Sequence, residues 1–562
     1  MTDARSDWIA QPSATRIARV VLVALVFLAY LPVLSSDFVD WDDDTLLTHN
    51  PAVTSAQGLR HIWSTLELPA SFPNYPLLFT SYWIEYRLWG SDPRGYHFTN
   101  LLLHMLNTFL VWRLARRLGA SEWAAGVVAA LFGLHPMQVE SVAWVVERKN
   151  VLSATFYLAA FLAYLQHRET DRWDWYGLSL VTFAAAMLSK TASLTLPASL
   201  LLWERLRAGA WRRAALLRAV PLILVGSFGI ITTIAVEPSH VAIPWALRAL
   251  LAAQCLVFYV VKLVAPIGLL PIYRSWDIEP AQIRWWLPLI GVVGAAMVIA
   301  RSREWLIRWG AGHFVCTLAP VLGLLPFGYH TFTFVADHYV YLACIGLFLP
   351  IALIVDRWRA HAARLITTAS VIVVAALGVL TWRQTLIWSD ALTFWTHAAD
   401  GNPTAWVTQV NLGQALIQRE RFADAMAATT RALALRPDDP VALNNMGLAL
   451  LRSDQATEAV VYLRRAVAVD ALSAERRKNL AAALLANGQP ADAEAELRAA
   501  LAIQPDNVVS HYLLARALRR QGNASAAVTE LEITLGLQPD FQPAVHALAE
   551  IRASSPTAPA AP

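Results

Sequence analysis

At 562 residues the chain has room for three or four ordinary domains, yet 57% of it is hydrophobic, only 15% is charged and its mean hydropathy is +0.44. Soluble chains carry roughly 25% charged residues, so a purely soluble enzyme is excluded and much of this chain must dissolve in lipid. A net charge of +4 is too small to argue for nucleic acid. The basic excess lies in short clusters beside apolar runs, the pattern that orients membrane helices. Cys255, Cys316 and Cys344 all sit inside apolar stretches and give neither a disulfide framework nor metal-ligand spacing.

Apolar segments recur at about 16–35, 97–114, 121–142, 150–166, 174–188, 191–203, 214–235, 246–264, 285–300, 308–326, 339–355 and 363–381, most of them long enough to span a bilayer. The first ends in Leu34-Ser35-Ser36-Asp37 without a small-x-small cleavage site, so it reads as a retained helix. Arg5, Arg16 and Arg19 place its start in the cytoplasm. The clusters Arg113/Arg116/Arg117, His167/Arg168/Arg172, Arg205/Arg207/Arg212/Arg213/Arg218, Arg301/Arg303/Arg308 and Arg357/Arg359/Arg364 belong on that same side. Twelve full crossings cannot satisfy all five clusters, whereas eleven can if 246–264 or a short neighbour re-enters. Parity then puts the loop at 36–96, the loop at 265–284 and everything beyond residue 400 on the extracytoplasmic face.

Residues 37–51 read DFVDWDDDTLLTHNP, with Asp40, Asp42, Asp43 and Asp44 just beyond a span. Acids this close raise one another's pKa in a dry pocket. One of them reads as a general base, or two hold a divalent cation through oxygen ligands; the plain alternative is a solvated loop or a helix N-cap. Residues 135–152, HPMQVESVAWVVERKNVL, place His135, Glu140, Arg148 and Lys149 near the outer end of one span and the start of the next, where charge is costly. Ser189-Lys190-Thr191 interrupts an apolar hairpin on the same side, and Ala336-Asp337-His338-Tyr339 opens a later outer span. Cations converging on one face suit a lipid-linked phosphate; the plain alternative makes each a snorkelling anchor.

Beyond Trp406 the chain holds no tryptophan and turns Ala-, Leu-, Asp- and Arg-rich. Asn411-Leu412-Gly413, Asn445-Met446-Gly447, Asn479-Leu480-Ala481, Leu513-Leu514-Ala515 and Ala547-Leu548-Ala549 recur with a period of 34 residues. Ala425, Ala459, Ala493 and Ala527 follow twelve positions later, and Pro437, Pro505 and Pro539 close three of the units, with Ala471 in the fourth. This pattern over 403–552 resembles the tetratricopeptide repeat, which implies an α-solenoid with a concave face for a protein or peptide. The end of the chain, Ser554-Ser555-Pro556-Thr557-Ala558-Pro559 onward, has nothing to bury.

FVDWDDDTLLTHNP, the stretch NYPLLFTSYWIEYRLWGSDPRGYHFTNLLLH at 74–104, HPMQVESVAWVVERKNVL and LSKTASLTLP at 188–197, followed by the repeats, resemble the transmembrane-and-tetratricopeptide-repeat O-mannosyltransferases and their bacterial relatives, in the GT-C superfamily. The fold this implies is all-α: a polytopic GT-C-like membrane helix domain over 1–400 with an extracytoplasmic loop at 36–96, a repeat solenoid over 401–552 and a disordered tail over 553–562. The resemblance further implies a polyprenyl-phosphate-linked sugar donor and transfer to an acceptor hydroxyl at the outer face. The family's paired acid falls on Asp42 and Asp43 as candidates for the catalytic base, with Asp44 an extra acid. Its HPxHxE element falls on His135, Pro136 and Glu140, with Gln138 in place of the second histidine. The following basic segment falls on Arg148 and Lys149; the usual Ser-Lys-Glu is Ser189-Lys190-Thr191, and Ala-Asp-Arg-Tyr is Ala336-Asp337-His338-Tyr339. Substrate contacts are therefore expected from His135, Glu140, Arg148, Lys149, Lys190 and His338, in a single inverting displacement, with the acceptor protein delivered by the repeats. A divalent metal on Asp42, Asp43 and Asp44 is a variant of that mechanism. The competing class, motivated by Gln138, Thr191 and His338, is a non-catalytic membrane-anchored repeat scaffold for envelope proteins. A transporter finds no inverted halves to support it. High Ala and Arg usage leans towards a bacterial inner membrane.

Overall fold

The computed structural model describes residues 13–65, 67–68, 72–73, 75–236, 243–324 and 328–554. Arg5 and the tail from residue 555 lie outside the described residues; residues 553 and 554, assigned to that tail from the sequence, close a helix instead. Among the described residues everything regular is helical except one two-residue antiparallel pair, Glu67–Leu68 with Phe72–Pro73. The chain divides into two compact units, Met1–Gly401 and Asn402–Pro562.

In the first unit each apolar segment contains a helix. Ser13–Ala29, Pro93–Leu118, Glu122–Leu134, Arg148–Thr170, Trp173–Met187, Leu196–Ala208, Arg213–Val236, Trp245–Val264, Leu287–Ala300, Trp305–Leu318, Cys344–Arg359 and Ala363–Ile387 follow one another, with Pro76–Trp89 lying in the first long loop. By length and composition three described stretches, Trp245–Val264, Ile283–Ala300 and Ala363–Ile387, are long and apolar enough to cross a membrane. Most of the others are shorter, at 13–17 residues, and the long helix Pro93–Leu118 carries polar side chains paired inside the bundle. Asn107 Nδ2 donates to the Val151 carbonyl at 2.8 Å, and His104 Nδ1 meets the Tyr341 hydroxyl at 2.8 Å.

One segment differs from its sequence reading. The run at 121–142 stops being a helix at Leu134, because Pro136 disfavours helical backbone at His135. The chain continues as a 3-10 turn, Pro136–Gln138, and a short helix, Val139–Ala143, both buried. This infolded stretch carries Gln138 and Glu140 inward.

Ion pairs sort the helix ends into two groups. At one end Arg19 and Arg116 meet Glu122 (2.8 and 2.9 Å), Arg168 and Arg218 meet Glu204 (2.5 and 3.4 Å), and Arg357 meets Glu304 (2.8 Å). At the other, Asp37 N donates to Ser389 O (2.8 Å), Tyr273 to Asp337 (2.7 Å) and Lys190 to Glu147 (3.3 Å). Helix Trp245–Val264 has both halves against this second end: Arg248 donates to the Leu324 carbonyl (2.7 Å), Tyr259 accepts from Ala336 N (3.2 Å) and the Leu263 carbonyl meets His135 (3.1 Å).

Helices Trp305–Leu318 and Cys344–Arg359 touch backbone to backbone. A Cβ on Gly346 would stand 2.3 Å from the Gly310 carbonyl oxygen, and one on Gly310 2.5 Å from the Gly346 oxygen. Small residues at such crossings let main chains approach within van der Waals range. Because backbone cannot step aside, Gly346→Val is expected to destabilise by about 1–3 kcal/mol. Thermal unfolding in detergent would show it, and an unchanged midpoint would contradict the packing.

The second unit contains nine helices among the described residues, from Trp406–Gln418 to Gln542–Ser554, in four antiparallel pairs and a final single helix. Pro440 and Pro490 open helices at a first-turn position where the missing N–H costs nothing. Asp439, Ser473, Asn507 and Asn523 cap first-turn N–H groups. Ala425, Ala459, Ala493 and Ala527 are fully buried where paired helices meet, and Leu463, Leu484, Leu497, Leu514 and Leu531 fill the continuous core. Asn445 donates across a repeat boundary to the Val410 carbonyl at 3.1 Å.

Candidate active site at the acidic end of the bundle

The segment 39–44 is fixed by indoles. Trp144 Nε1 donates to the Trp41 carbonyl (3.0 Å) and Trp395 Nε1 to the Val39 carbonyl (3.1 Å). Trp41 stacks on Trp144 with ring centroids 4.7 Å apart and packs against Phe394 and Trp395. On either side of this anchor Asp40 and Asp42 adopt left-handed backbone, φ +53° and +68°. Such non-glycine conformations cost of order 1–3 kcal/mol each and persist only where the surroundings impose them.

The anchored turn gives the three acids different fates. Asp43 is 1% exposed; its Oδ2 accepts from Val39 N at 3.3 Å, while buried Oδ1 has no partner among the described residues. Burial, then the charge of Asp42, pushes the Asp43 carboxyl well above the ordinary range. Asp42 is open to solvent yet ringed by protein atoms. That enclosure raises its pKa, the Lys149 ammonium pulls it back, and Asp44 and Glu147 push it up again. Asp44 turns away to its own neighbour, Oδ1 accepting from Thr45 N at 2.7 Å. Asp42, Asp43 and Asp44 therefore do not converge as a three-acid metal cage, which corrects that expectation. Among the described residues no group of three or more His, Cys, Asp or Glu side chains is placed to hold a metal ion.

Glu147, which the sequence reading passed over, is the hub of the site. Its side chain is 2% exposed and pairs with Lys149 Nζ (2.6 Å) and Lys190 Nζ (3.3 Å). It also accepts from Asn150 Nδ2 (2.5 Å) and lies 4.0 Å from His338 Nε2. Burial alone would raise its pKa; His338, Lys149 and Lys190 outweigh burial and hold it at about 2. Lys190 also donates to Asn150 Oδ1 (2.5 Å), and burial lowers its pKa to about 8 against the opposing field of Glu147. Glu140 accepts from His338 N at 2.9 Å and approaches His338 Nδ1 at 3.1 Å. Asp42, Glu140, Lys149, Lys190 and His338 are thus drawn together from four separated loops.

His135 and Arg148 do not join this group. His135 Nδ1 accepts from Met137 N (3.3 Å), so its Nε2 carries the proton and donates to the Leu263 carbonyl (3.1 Å). Both nitrogens are committed, and the expected substrate contact gives way to a capping role. Arg148 is fully buried. Its guanidinium pairs with Glu85 and donates to Asn100 Oδ1 (2.7 Å) and the Tyr96 carbonyl (2.8 Å), beneath the Tyr82 ring at 4.9 Å. The phosphate role expected of it is corrected to an internal brace. Gln138 likewise donates inward, to Cys344 Sγ at 3.1 Å.

Comparison with known proteins follows the same division of the chain. The family "Dolichyl-phosphate-mannose-protein mannosyltransferase" matches residues 73–237, and "Tetratricopeptide repeat" matches residues 484–551. Protein O-mannosyl-transferase Tmtc1 of Drosophila melanogaster is 35% identical over 179 residues, which are 31% of this chain and 21% of that protein. A protein O-mannosyl-transferase of Caenorhabditis elegans is 23% identical over 416 residues, 70% of this chain and 59% of that one. The chain therefore spans about a fifth of the fly relative's length and 59% of the worm relative's. The crystal structure of YrrB, a tetratricopeptide-repeat protein, aligns with 28% of this chain and 81% of its own at 23% identity and a TM-score of 0.26. Residues 73–237 of the chain are thus similar to dolichyl-phosphate-mannose-protein mannosyltransferases, residues 484–551 to tetratricopeptide repeats, and parts of the chain to named protein O-mannosyl-transferases.

Proposed function

We propose that the chain is an integral membrane glycosyltransferase that moves a sugar from a polyprenyl-phosphate donor to a hydroxyl of an acceptor protein. The observation that carries this reading is a solvent-reached carboxylate, Asp42, in the field of Lys149, with Lys190 and Lys149 side by side on Glu147. A base and a paired cation are what a one-step displacement at an anomeric carbon requires. Asp42 takes the proton of the acceptor hydroxyl as its oxygen bonds to the anomeric carbon. The bond from that carbon to the phosphate oxygen breaks, its electron pair leaves on the phosphate, and the configuration inverts. Lys149 and Lys190 hold the charge that develops there. Phosphate leaves readily, so no covalent sugar–enzyme intermediate is needed.

The basic clusters at one end of the bundle support placing that end in the cytoplasm, of a bacterial inner membrane in this reading. An odd number of passes then carries the acidic end and the repeats to the outer face. There the repeats present the acceptor. Transfer of radiolabelled sugar from a panel of polyprenyl-phosphate donors, in membranes holding equal amounts of wild type or Asp42→Asn/Asp43→Asn, tests the reading. Label in protein-sized product that requires the two acids is expected. Label that persists without the two acids would overturn their assignment, and no label above background with wild type would assign the chain to the non-catalytic scaffold class instead.

A further inference from the structure

Lys149 and Lys190 reach the site from segments more than forty residues apart, and their side chains keep 13% and 14% exposure while Glu147 behind them keeps 2%. One carboxylate holds both ammonium groups: Oε1 takes Lys149 and Oε2 takes Lys190, with Asn150 bridging Oε2 to the same Lys190. Two like charges gathered this closely repel, and in a poorly hydrated site the cheaper relief is for one to lose its proton. A buried anion between them prevents that. Asn150 Nδ2 also faces the His338 carbonyl (3.2 Å) and Ser141 Oγ (3.2 Å), tying the assembly to two further segments.

We infer that Glu147 is a positioning residue: it sets the Lys149 and Lys190 side chains side by side for the donor's phosphodiester. The inference rests on the glycosyltransferase reading for its ligand class only. The charged and titratable groups facing the pair are Glu147, Glu140, Asp42, His338 and Tyr75. Glu147 touches both lysines through its carboxylate. Lys190 already titrates near pH 8. Without the Glu147 charge its proton is released at lower pH.

The consequence is a crossover rather than a uniform loss. Binding of a polyprenyl phosphate methyl ester, whose single charge does not change between pH 6 and 9, is measured on the purified full chain. At pH 6, with both lysines protonated and the buried anion removed, Glu147→Gln is expected to bind at least as tightly as wild type. At pH 7.5, where Lys190 is still mostly protonated in wild type and is expected to be neutral in the variant, it is expected to bind up to about tenfold more weakly, the scale of one lost charge-assisted contact. Adding Lys190→Arg, whose guanidinium stays charged, is expected to flatten the pH dependence. A Glu147→Gln curve that parallels or superimposes on wild type at every pH overturns the inference, because a merely structural defect weakens binding uniformly. Sugar transfer by the same wild-type preparation separates the two readings. Transfer without a crossover removes the role of Glu147, and a crossover without transfer from any donor removes the enzyme.

Discussion

Asp42→Asn is expected to lower sugar transfer about 100- to 10,000-fold, the range for losing a positioned general base. Asp43→Asn is expected to change it less than about tenfold, since a buried carboxyl that keeps its proton is already neutral and an amide has nearly its shape. The contrast follows from the turn: solvent reaches Asp42, and Asp43 is sealed beneath it. The pH dependence adds a signed check. A base works deprotonated, and enclosure raises the Asp42 pKa from the ordinary 3.8. On acidification kcat/KM must therefore fall at a pH above the usual aspartate range, and the limb must vanish in Asp42→Asn. Equal losses for the two substitutions would refute the division of labour between these acids.

The largest loss of stability is expected from Arg148→Met. Removing the guanidinium leaves Glu85, whose side chain is 7% exposed, as an uncompensated charge. Breaking one partner of a buried pair costs about 3–5 kcal/mol. Replacing both, as Glu85→Leu/Arg148→Met, is expected to restore most of that, because two apolar side chains demand no pairing. Arg148→Lys is expected to recover only part, since an ammonium cannot reproduce the bonds to Asn100, Tyr96 and Glu85 together. Thermal unfolding in detergent measures all three. An Arg148→Met protein with unaltered unfolding and abolished transfer would return Arg148 to the substrate site.

The repeats and the apolar segments were legible because each is a periodic or cumulative signal. A 34-residue period survives individual substitutions, and a bilayer-length run needs no single residue. The site was legible only as motifs. Arg148 and Lys149 are neighbours in the sequence and read alike as phosphate cations, yet successive residues on a helix point about 100° apart. One enters the bundle against Glu85 and the other faces Glu147. Glu147 itself reads as one more interfacial charge, because the partner that reveals it, Lys190, lies 43 residues away. His135 and Gln138 sit in the same motif as Glu140 but on the infolded turn after Leu134, whose geometry no spacing rule supplies.

The left-handed residues Asp40 and Asp42 bear on how this chain responds to selection. A backbone at φ +53° or +68° suits glycine, so relief of backbone strain alone would place glycine at both positions. Here two aspartates hold those conformations, on either side of a tryptophan clamped by two other indoles. Natural sequences accept such local disadvantage where activity and stability pull apart. Glycine at 42 would relax the loop at the cost of the carboxylate proposed here as the base.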